Sequence, residues 1–300
     1  MASRGERFLP WLLVLPAFAI LVPFHLWPAL EVLRLSFIPD AGASAFSNYR
    51  EVAQSGELGK ALSVTIWFAL GTVPLSIGIG FCAAWWIHRA RFFQGILRTL
   101  YFLPAVTSAF TAALIWRWIF DPNIGLLRAF LEGIGVRVSS EFLLDAHGIL
   151  EPLGIGVKGP SVALCCVMAY SVWHSLGFET LVILAALSIV PRDYFEAADI
   201  EGASGFRLHR LVTLPLISPT LFFLAILGTI RALQAFTPLY LLTRDGAQGT
   251  TVNLPYLVFK KYWDVYLVGE ACALAVILFG LLAAISWIQR RTLESRVHYG

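Results

Sequence analysis

Charge is what this chain has least of. Acids and bases together make up 14% of its 300 residues, against about 25% in soluble domains. The hydrophobic share is 58% and the mean hydropathy is +0.74. A water-solvated core of this size cannot hide that much apolar surface, so the composition points to lipid as solvent. Lysine is nearly absent: Lys60, Lys158, Lys260 and Lys261 are all there are, and none precedes serine or threonine. That excludes the G-x-x-x-x-G-K-[ST] loop that cradles nucleotide phosphates. H-E-x-x-H and G-x-S-x-G are also missing, which removes two common hydrolytic sites. A net charge of +3, with no concentrated basic stripe, gives no case for nucleic acid. The four cysteines, Cys82, Cys165, Cys166 and Cys272, sit inside apolar runs without a C-x-x-C pair or a histidine at ligand spacing. They read as small buried side chains, and no metal site is expected. There is no fixed-period repeat and no low-complexity tract.

What the chain does have is apolar length. A spanning helix needs roughly 20 predominantly apolar residues, and six stretches qualify: 8–30, 62–87, 100–120, 162–190, 216–243 and 271–288. The expected fold is all-α, a polytopic membrane protein with six transmembrane helices. The first run follows "MASRGER" but continues through Leu30, too long for a signal-peptide core, so it reads as an uncleaved span. Arginine is densest in the segments that lie inside if the N-terminus is inside, whereas the outer segments balance their bases with twelve acids. By the positive-inside rule both termini are then cytoplasmic. The longest outer segment, 121–160, reads as a short amphipathic helix and loop.

Against this background the stretch "EAADIEGASGFRLHRLVTLPL", 196–216, stands out. Pro191 ends the fourth span and suits the start of a new helix. Asp193 and Glu196 follow in its first turns, where acids complement the helix dipole. Phe195, Ala198 and Gly202 recur at helical spacing, giving a narrow face of small and aromatic side chains. Gly202 and Gly205 then allow a sharp turn, and a second short helix over 206–212 carries arginines and a histidine up to Leu214-Pro215. Such a helix–turn–helix outside the bilayer suits a groove on another protein, with small residues permitting close approach and charges fixing register; an ordinary solvated loop is the alternative.

The spacing also matches a family signature. Glu196-Ala197-Ala198, Gly202 four residues on, and Val212-Thr213-Leu214-Pro215 resemble the E-A-A, three residues, G, nine residues, I-x-L-P motif of the permease subunits of binding-protein-dependent ABC importers. Valine for isoleucine is the only departure. "FLPAVTSAFTAALIWRWIFDPNIGLL" and "RALQAFTPLYLLT" resemble the third and fifth spans of that family's sugar-type branch, although Thr243-Arg244-Asp245-Gly246-Ala247 lacks the branch's T-x-G-G-P.

The resemblance implies an N-terminal helix and outer segment over 1–57, a permease core over 58–290 with a coupling loop at 191–216, and a cytoplasmic tail at 291–300. It also implies a place in the bacterial inner membrane. Glu196, Ala197, Ala198, Gly202, Leu214 and Pro215 would engage a dimeric ATPase, which would hold the ATP and Mg; this chain would bind no cofactor and hydrolyse nothing. The other implied partners are a second homologous permease and an extracytoplasmic solute-binding protein. The implied cargo is a carbohydrate or related polyol, with glycerol phosphate, an amino acid or another anion as alternatives.

Charge at bilayer depth costs about 2.5–3.5 kcal/mol per residue on insertion scales and faces an interior or a cavity. Glu179 and Arg231 are the clearest cases, as path-lining groups or as an interhelical ion pair; Arg117 is near enough to a span end to snorkel. His174 is either a helix-contact histidine or a solute ligand. A pyranose has an apolar face and a polar edge, so flat rings beside hydrogen-bonding groups suit it. Trp173, His174, Arg231, Gln234, Phe236 and Tyr240 are therefore the candidate path residues, although Gln234, Phe236 and Tyr240 cannot all share one helix face. Two competitors remain. An ion-driven carrier would show paired discontinuous helices and repeated halves, and the sequence displays neither clearly. A membrane-embedded enzyme using His174 and Glu179 would need a shared helix face, and a spacing of five puts them about 140° apart.

Overall fold

A computed structural model describes residues 4–40, 44–90, 94–121, 123–135, 142–151, 159–244 and 247–293. Residues 294–300 of the expected tail, Asp245 and Gly246 of the loop after Thr243, and 136–141 and 152–158 of the outer segment lie outside the described residues. Among the described residues the regular structure is helical, apart from one isolated bridge between Gly148 and Ser161. In chain order the helices are α1 (Arg4–Leu21), continued through a π-turn into α2 (Trp27–Leu35), α3 (Ser47–Gln54), α4 (Glu57–Arg89), α5 (Gln94–Val106), α6 (Ala109–Ile119), α7 (Leu126–Gly133) and α8 (Val162–Ile189). They continue with α9 (Arg192–Ile200), α10 (Gly205–Leu208), α11 (Leu214–Leu216), α12 (Ser218–Leu233), α13 (Thr237–Thr243), α14 (Leu254–Trp263) and α15 (Val268–Leu293).

Four stretches are long and apolar enough to cross a membrane unbroken: Leu13–Leu35, Glu57–Arg89, Val162–Ile189 and Val268–Thr292. The other two expected spans are not straight helices. Gln94–Val106 and Ala109–Ile119 meet at 96°, and Gly205–Leu216 and Ser218–Leu233 meet at 76°. Six spans result only if each bent pair is counted as one.

The reasons for the breaks are local. Pro104 lacks an N–H and crowds the preceding turn, and a few residues on Ser108 is extended (φ −55°, ψ 128°) before α6 begins. Pro219 lies in the first turn of α12 and cannot donate back into α11. The expected fifth span over 216–243 is interrupted again. Helix α12 ends at Leu233, residues 234–236 leave the helix, and α13 restarts with Pro238 in its first turn. Breaks of this kind are tolerated at membrane depth where other groups satisfy the freed backbone. Here they do. The Thr107 carbonyl accepts from His174 Nε2 at 3.3 Å and Asn253 Nδ2 donates to the Ala235 carbonyl; the Tyr170 hydroxyl adds a bond to the Ala109 carbonyl at the start of α6 (2.9 Å).

The chain divides into two compact units, residues 1–59 with 257–280 and residues 60–256 with 281–300. The first is held by polar contacts. Asp40 accepts from the amides of Gly269 and Glu270 (2.9 and 2.8 Å), capping the start of α15. Buried Asn48 donates to the carbonyls of Ser36 and Ile38. Lys261 Nζ bridges Glu57 (2.8 Å) and Glu270 (2.9 Å). In the second unit α5 packs along α8, and α13 lies against α6 and α8. Gly177 of α8 permits the first of these contacts, because a Cβ there would sit 2.7 Å from the Tyr101 carbonyl. An apolar cluster of Ala84, Ile87, Ile183, Leu184, Leu187, Ile217 and Leu224 joins α4, α8 and the α11–α12 corner.

Candidate functional site

Two sites emerge in the second unit. One is built on the 191–216 segment. Helix α9 begins after extended Pro191 with Asp193 in its first turn, and it ends at Glu201. The following glycine, Gly202, has φ +71°, the left-handed conformation that favours glycine. Gly202 N donates to the Asp199 carbonyl (3.1 Å) and Ala203 N to the Ala198 carbonyl (2.8 Å). These are the paired bonds of a Schellman terminator, which also calls for an apolar contact between the residues three before and two after the helix cap. Ala198 and Ala203 supply it, buried with Leu208 in a small cluster that Trp85, Phe195 and Val212 cover. The spacing from Glu196-Ala197-Ala198 to Gly202 is therefore the spacing of one helix end.

This corrects the reading of the small-residue face. Phe195 and Ala198 turn inward toward Trp85 of α4 in the same chain, so the smallness of Ala198 and the ring of Phe195 serve an internal contact. The exposed surface carries Tyr194, Glu196, Ala197, Gly202, Ile200 (88% exposed) and Phe206 (77% exposed). The second helix is shorter than expected: α10 covers one turn and passes into a π-helical stretch, His209–Thr213, before Leu214 and Pro215 begin α11. Leu214 and Pro215 are half-buried. Trp85, which no motif singled out, is the centre of the contact. Its ring lies 4.3 Å from His209 edge-on and 6.1 Å from Phe195, and the Arg89 guanidinium stands 5.0 Å above it.

The other site is a cavity of about 730 Å3 walled by α4, α5, α8, α12 and the break before α13. Four of the sequence candidates line it, His174, Arg231, Gln234 and Phe236, as does Glu179. Trp173 and Tyr240 are not in its wall. Trp173 packs among Trp116 and Tyr170, and Tyr240 stacks behind Phe236 with ring centres 5.2 Å apart. Arg117 is exposed on α6 and does not line the cavity. His174 also holds the Thr107 carbonyl, as described above, so its ring both caps a broken helix and lines the cavity. Glu179 is 1% exposed, and its Oε1 accepts from Arg231 Nη2 at 3.1 Å, while Arg231 keeps 40% of its side chain exposed. The guanidinium rests 4.9 Å over the Phe178 ring. Sequence reasoning missed Thr72, Ser76, Tyr170 and Ser175 in the wall, since hydroxyls in a helix carry no spacing signal. Terminal Thr243 is structural: its hydroxyl pairs with that of Thr251 at 2.8 Å. Among the described residues no cluster of His, Cys, Asp and Glu has the geometry of a metal site.

A bent-helix bundle, a cavity walled by four of its helices and a Schellman-capped E-A-A helix together define a membrane transport component. The chain belongs to the binding-protein-dependent transport system inner membrane component family, whose model matches residues 76–298. It is 30% identical, over 98% of each chain, to the sn-glycerol-3-phosphate transport system permease protein UgpA of Agrobacterium fabrum. It is 29% identical to the trehalose/maltose transport system permease protein MalF of Thermococcus litoralis, over 92% of this chain and 90% of that one. Among solved structures, a chain of a bacterial ABC transporter involved in the import of the acidic polysaccharide alginate shares the fold. That match has a TM-score of 0.80 at 18% identity and covers 97% of this chain and 96% of that one.

Proposed function

We propose that this chain is one of two permease subunits of an ATP-driven importer and that the cavity between α4, α8 and α12 is its part of the path for a carbohydrate or related polyol. The observation that carries this reading is the cavity's chemistry in a chain of this family: Phe68, Phe102, Phe178 and Phe236 offer flat apolar faces, and Thr72, Ser76, Ser171, Ser175, Gln234 and Arg231 offer polar edges. The relatives named above carry a glycerol phosphate and a disaccharide, which supports cargo of the same size and polarity. His174, Gln234 and Phe236 contact the solute, and Arg231 stands beside them. Trp173 and Tyr240 support the wall from behind.

Energy comes from a separate ATPase dimer holding ATP and Mg. It docks on the exposed side of the 191–216 segment, where Glu196, Ala197 and Gly202 lie beside Tyr194, Ile200 and Phe206. Ala198, Leu214 and Pro215 fix that segment to the body of the chain. Both termini and this segment lie in the cytoplasm, 1–57 and 58–290 form the added N-terminal part and the permease core, and an extracytoplasmic binding protein delivers the solute.

The test is mild-detergent purification of the tagged chain from its native membranes, followed by reconstitution of what co-purifies. An ATPase and a second permease should be recovered, with hydrolysis stimulated by the loaded binding protein. Gly202→Asp disrupts the left-handed helix end that shapes the docking surface. It should leave the chain in the membrane and abolish that stimulation. Stimulation equal to wild type would remove the docking role.

A further inference from the structure

Helix α7 has an apolar face that neither the cavity nor the 191–216 segment accounts for. Leu126 and Phe130 lie one turn apart and Ile134 follows just past the helix end; they are 66%, 65% and 61% exposed. By the 100° helical step Phe130 sits about 40° from Leu126, whereas Arg128 and Glu132 sit about 200° and 240° away. Those two charges pair with each other at 2.8 Å. Leu127 and Leu131, between the two sides, are half-buried. The helix therefore has a charged side and, opposite it, an uncovered apolar side.

Position decides what meets that apolar side. Helix α6 is the second half of a broken span, and it ends at Ile119 with Arg117 and exposed Trp118 in its last turn. Side chains of these kinds mark the level where hydrocarbon gives way to headgroups. The link from there to α7 is a tight turn. The Asp121 carboxylate accepts from the amides of Asn123 and Ile124 (2.8 and 3.1 Å), and the Asp121 carbonyl accepts from the Gly125 amide (3.0 Å). Gly125 is seated against the end of α6, because a Cβ there would lie 2.6 Å from the Ile119 carbonyl. Helix α7 thus starts at the depth where α6 stops. The exposed apolar face of α6, formed by Phe110, Leu114 and Trp118, is carried on by exposed Ile124 and then by Leu126 and Phe130. An apolar face that continues the exposed side of a span, at headgroup level and with charges on the opposite side, has the geometry of a helix lying in the membrane plane.

We infer that α7 is an interfacial helix whose Leu126, Phe130 and Ile134 side chains insert among the phospholipids of the outer leaflet, with Arg128 and Glu132 turned to water. The apolar side reaches about 5–10 Å into the boundary between headgroups and acyl chains. Its occupant is lipid, not the binding protein or the second permease. The choice of leaflet rests on both termini being cytoplasmic. Held in this way, α7 fixes the end of α6 against which α13 packs.

The test places the photo-crosslinker p-benzoylphenylalanine at position 130, and separately at position 128, of the complete transporter in its native membranes. Irradiation should add the mass of one phospholipid to the chain at position 130 and none at position 128. An adduct from position 130 with the binding protein or the second permease overturns the inference, as do equal lipid yields, including none, at the two positions. Thiol labelling decides the matter if the crosslinker disturbs insertion. In spheroplasts, Phe130→Cys should react with a membrane-impermeant maleimide several times more slowly than Glu132→Cys. Wild type, whose four cysteines lie in apolar runs, supplies the blank. Equal rates overturn the inference and leave the importer reading intact. Reaction of Glu132→Cys only after the membrane is broken would put this end of α6 in the cytoplasm, which removes the outer leaflet and the importer's topology together.

Discussion

At the scale of single residues, the charged side chains in this chain are few, and some have an identifiable task. Lys261 is the clearest outside the apolar spans. Burial works against its charge, but the carboxylates of Glu57 and Glu270, both within 2.9 Å, outweigh it and raise its pKa above 10.5. Its charged form is therefore favoured in the folded chain relative to the unfolded one. That stabilisation is present in full below 10.5 and disappears as pH rises through the higher folded value. Through this group the thermal midpoint of the detergent-solubilised protein should then not change with pH around neutrality and should fall in strongly alkaline buffer. Lys261→Met strands Glu270, which is 6% exposed, and should lose roughly 1.5–3 kcal/mol at neutral pH. A midpoint unchanged by Lys261→Met would show that the bridge contributes nothing.

At the scale of helices, close approach is the controlling variable, and Gly177 is where α8 meets the backbone of α5. A Cβ at this position meets the Tyr101 carbonyl at 2.7 Å and the Ala105 side chain at 3.0 Å, and neither backbone can yield without moving α5. Gly177→Val should therefore cost about 1–3 kcal/mol by overpacking, visible as a lowered thermal midpoint. Gly133→Ala, with nothing within 4 Å of its added Cβ, should leave the midpoint where it was. The same helices show what was legible in the sequence. Apolar runs gave α8 to within one residue and α4 and α15 to within five at either end, because twenty apolar residues in lipid have one good solution. The E-A-A spacing gave α9 and its end. The breaks at 107–108 and 234–236 were not legible. Proline marks where a helix can break, but whether it does depends on distant groups such as His174 and Asn253 taking up the freed carbonyls. The cavity was half legible for the same reason: Arg231, Gln234 and Phe236 drew notice through charge and resemblance, while the hydroxyls opposite them on α4 and α8 left no pattern along the chain.

At the scale of the second unit, the two sites share one helix. Trp85 sits against the α9–α10 cluster, and Thr72 and Ser76, two to four turns earlier on the same α4, line the cavity. A helix is stiff along its axis, so a displacement of α9 has a direct mechanical route to the cavity wall through the Trp85 ring. Allosteric coupling requires both sites to bias one element, and α4 is the element they have in common. Trp85→Ala empties the space among Ala198, Ala203, Leu208 and His209 and severs that route. Trp85→Phe keeps a flat ring there. In the reconstituted transporter, Trp85→Ala should lower the ratio of solute-stimulated to unstimulated hydrolysis at least severalfold, and Trp85→Phe should restore most of it. A merely structural loss would instead lower the amount of assembled complex and leave the ratio per complex at its wild-type value. That second pattern would place the transmission elsewhere, with the α11–α12 corner at Ile217 the next element to test, since it too joins the 191–216 segment to a helix of the cavity wall.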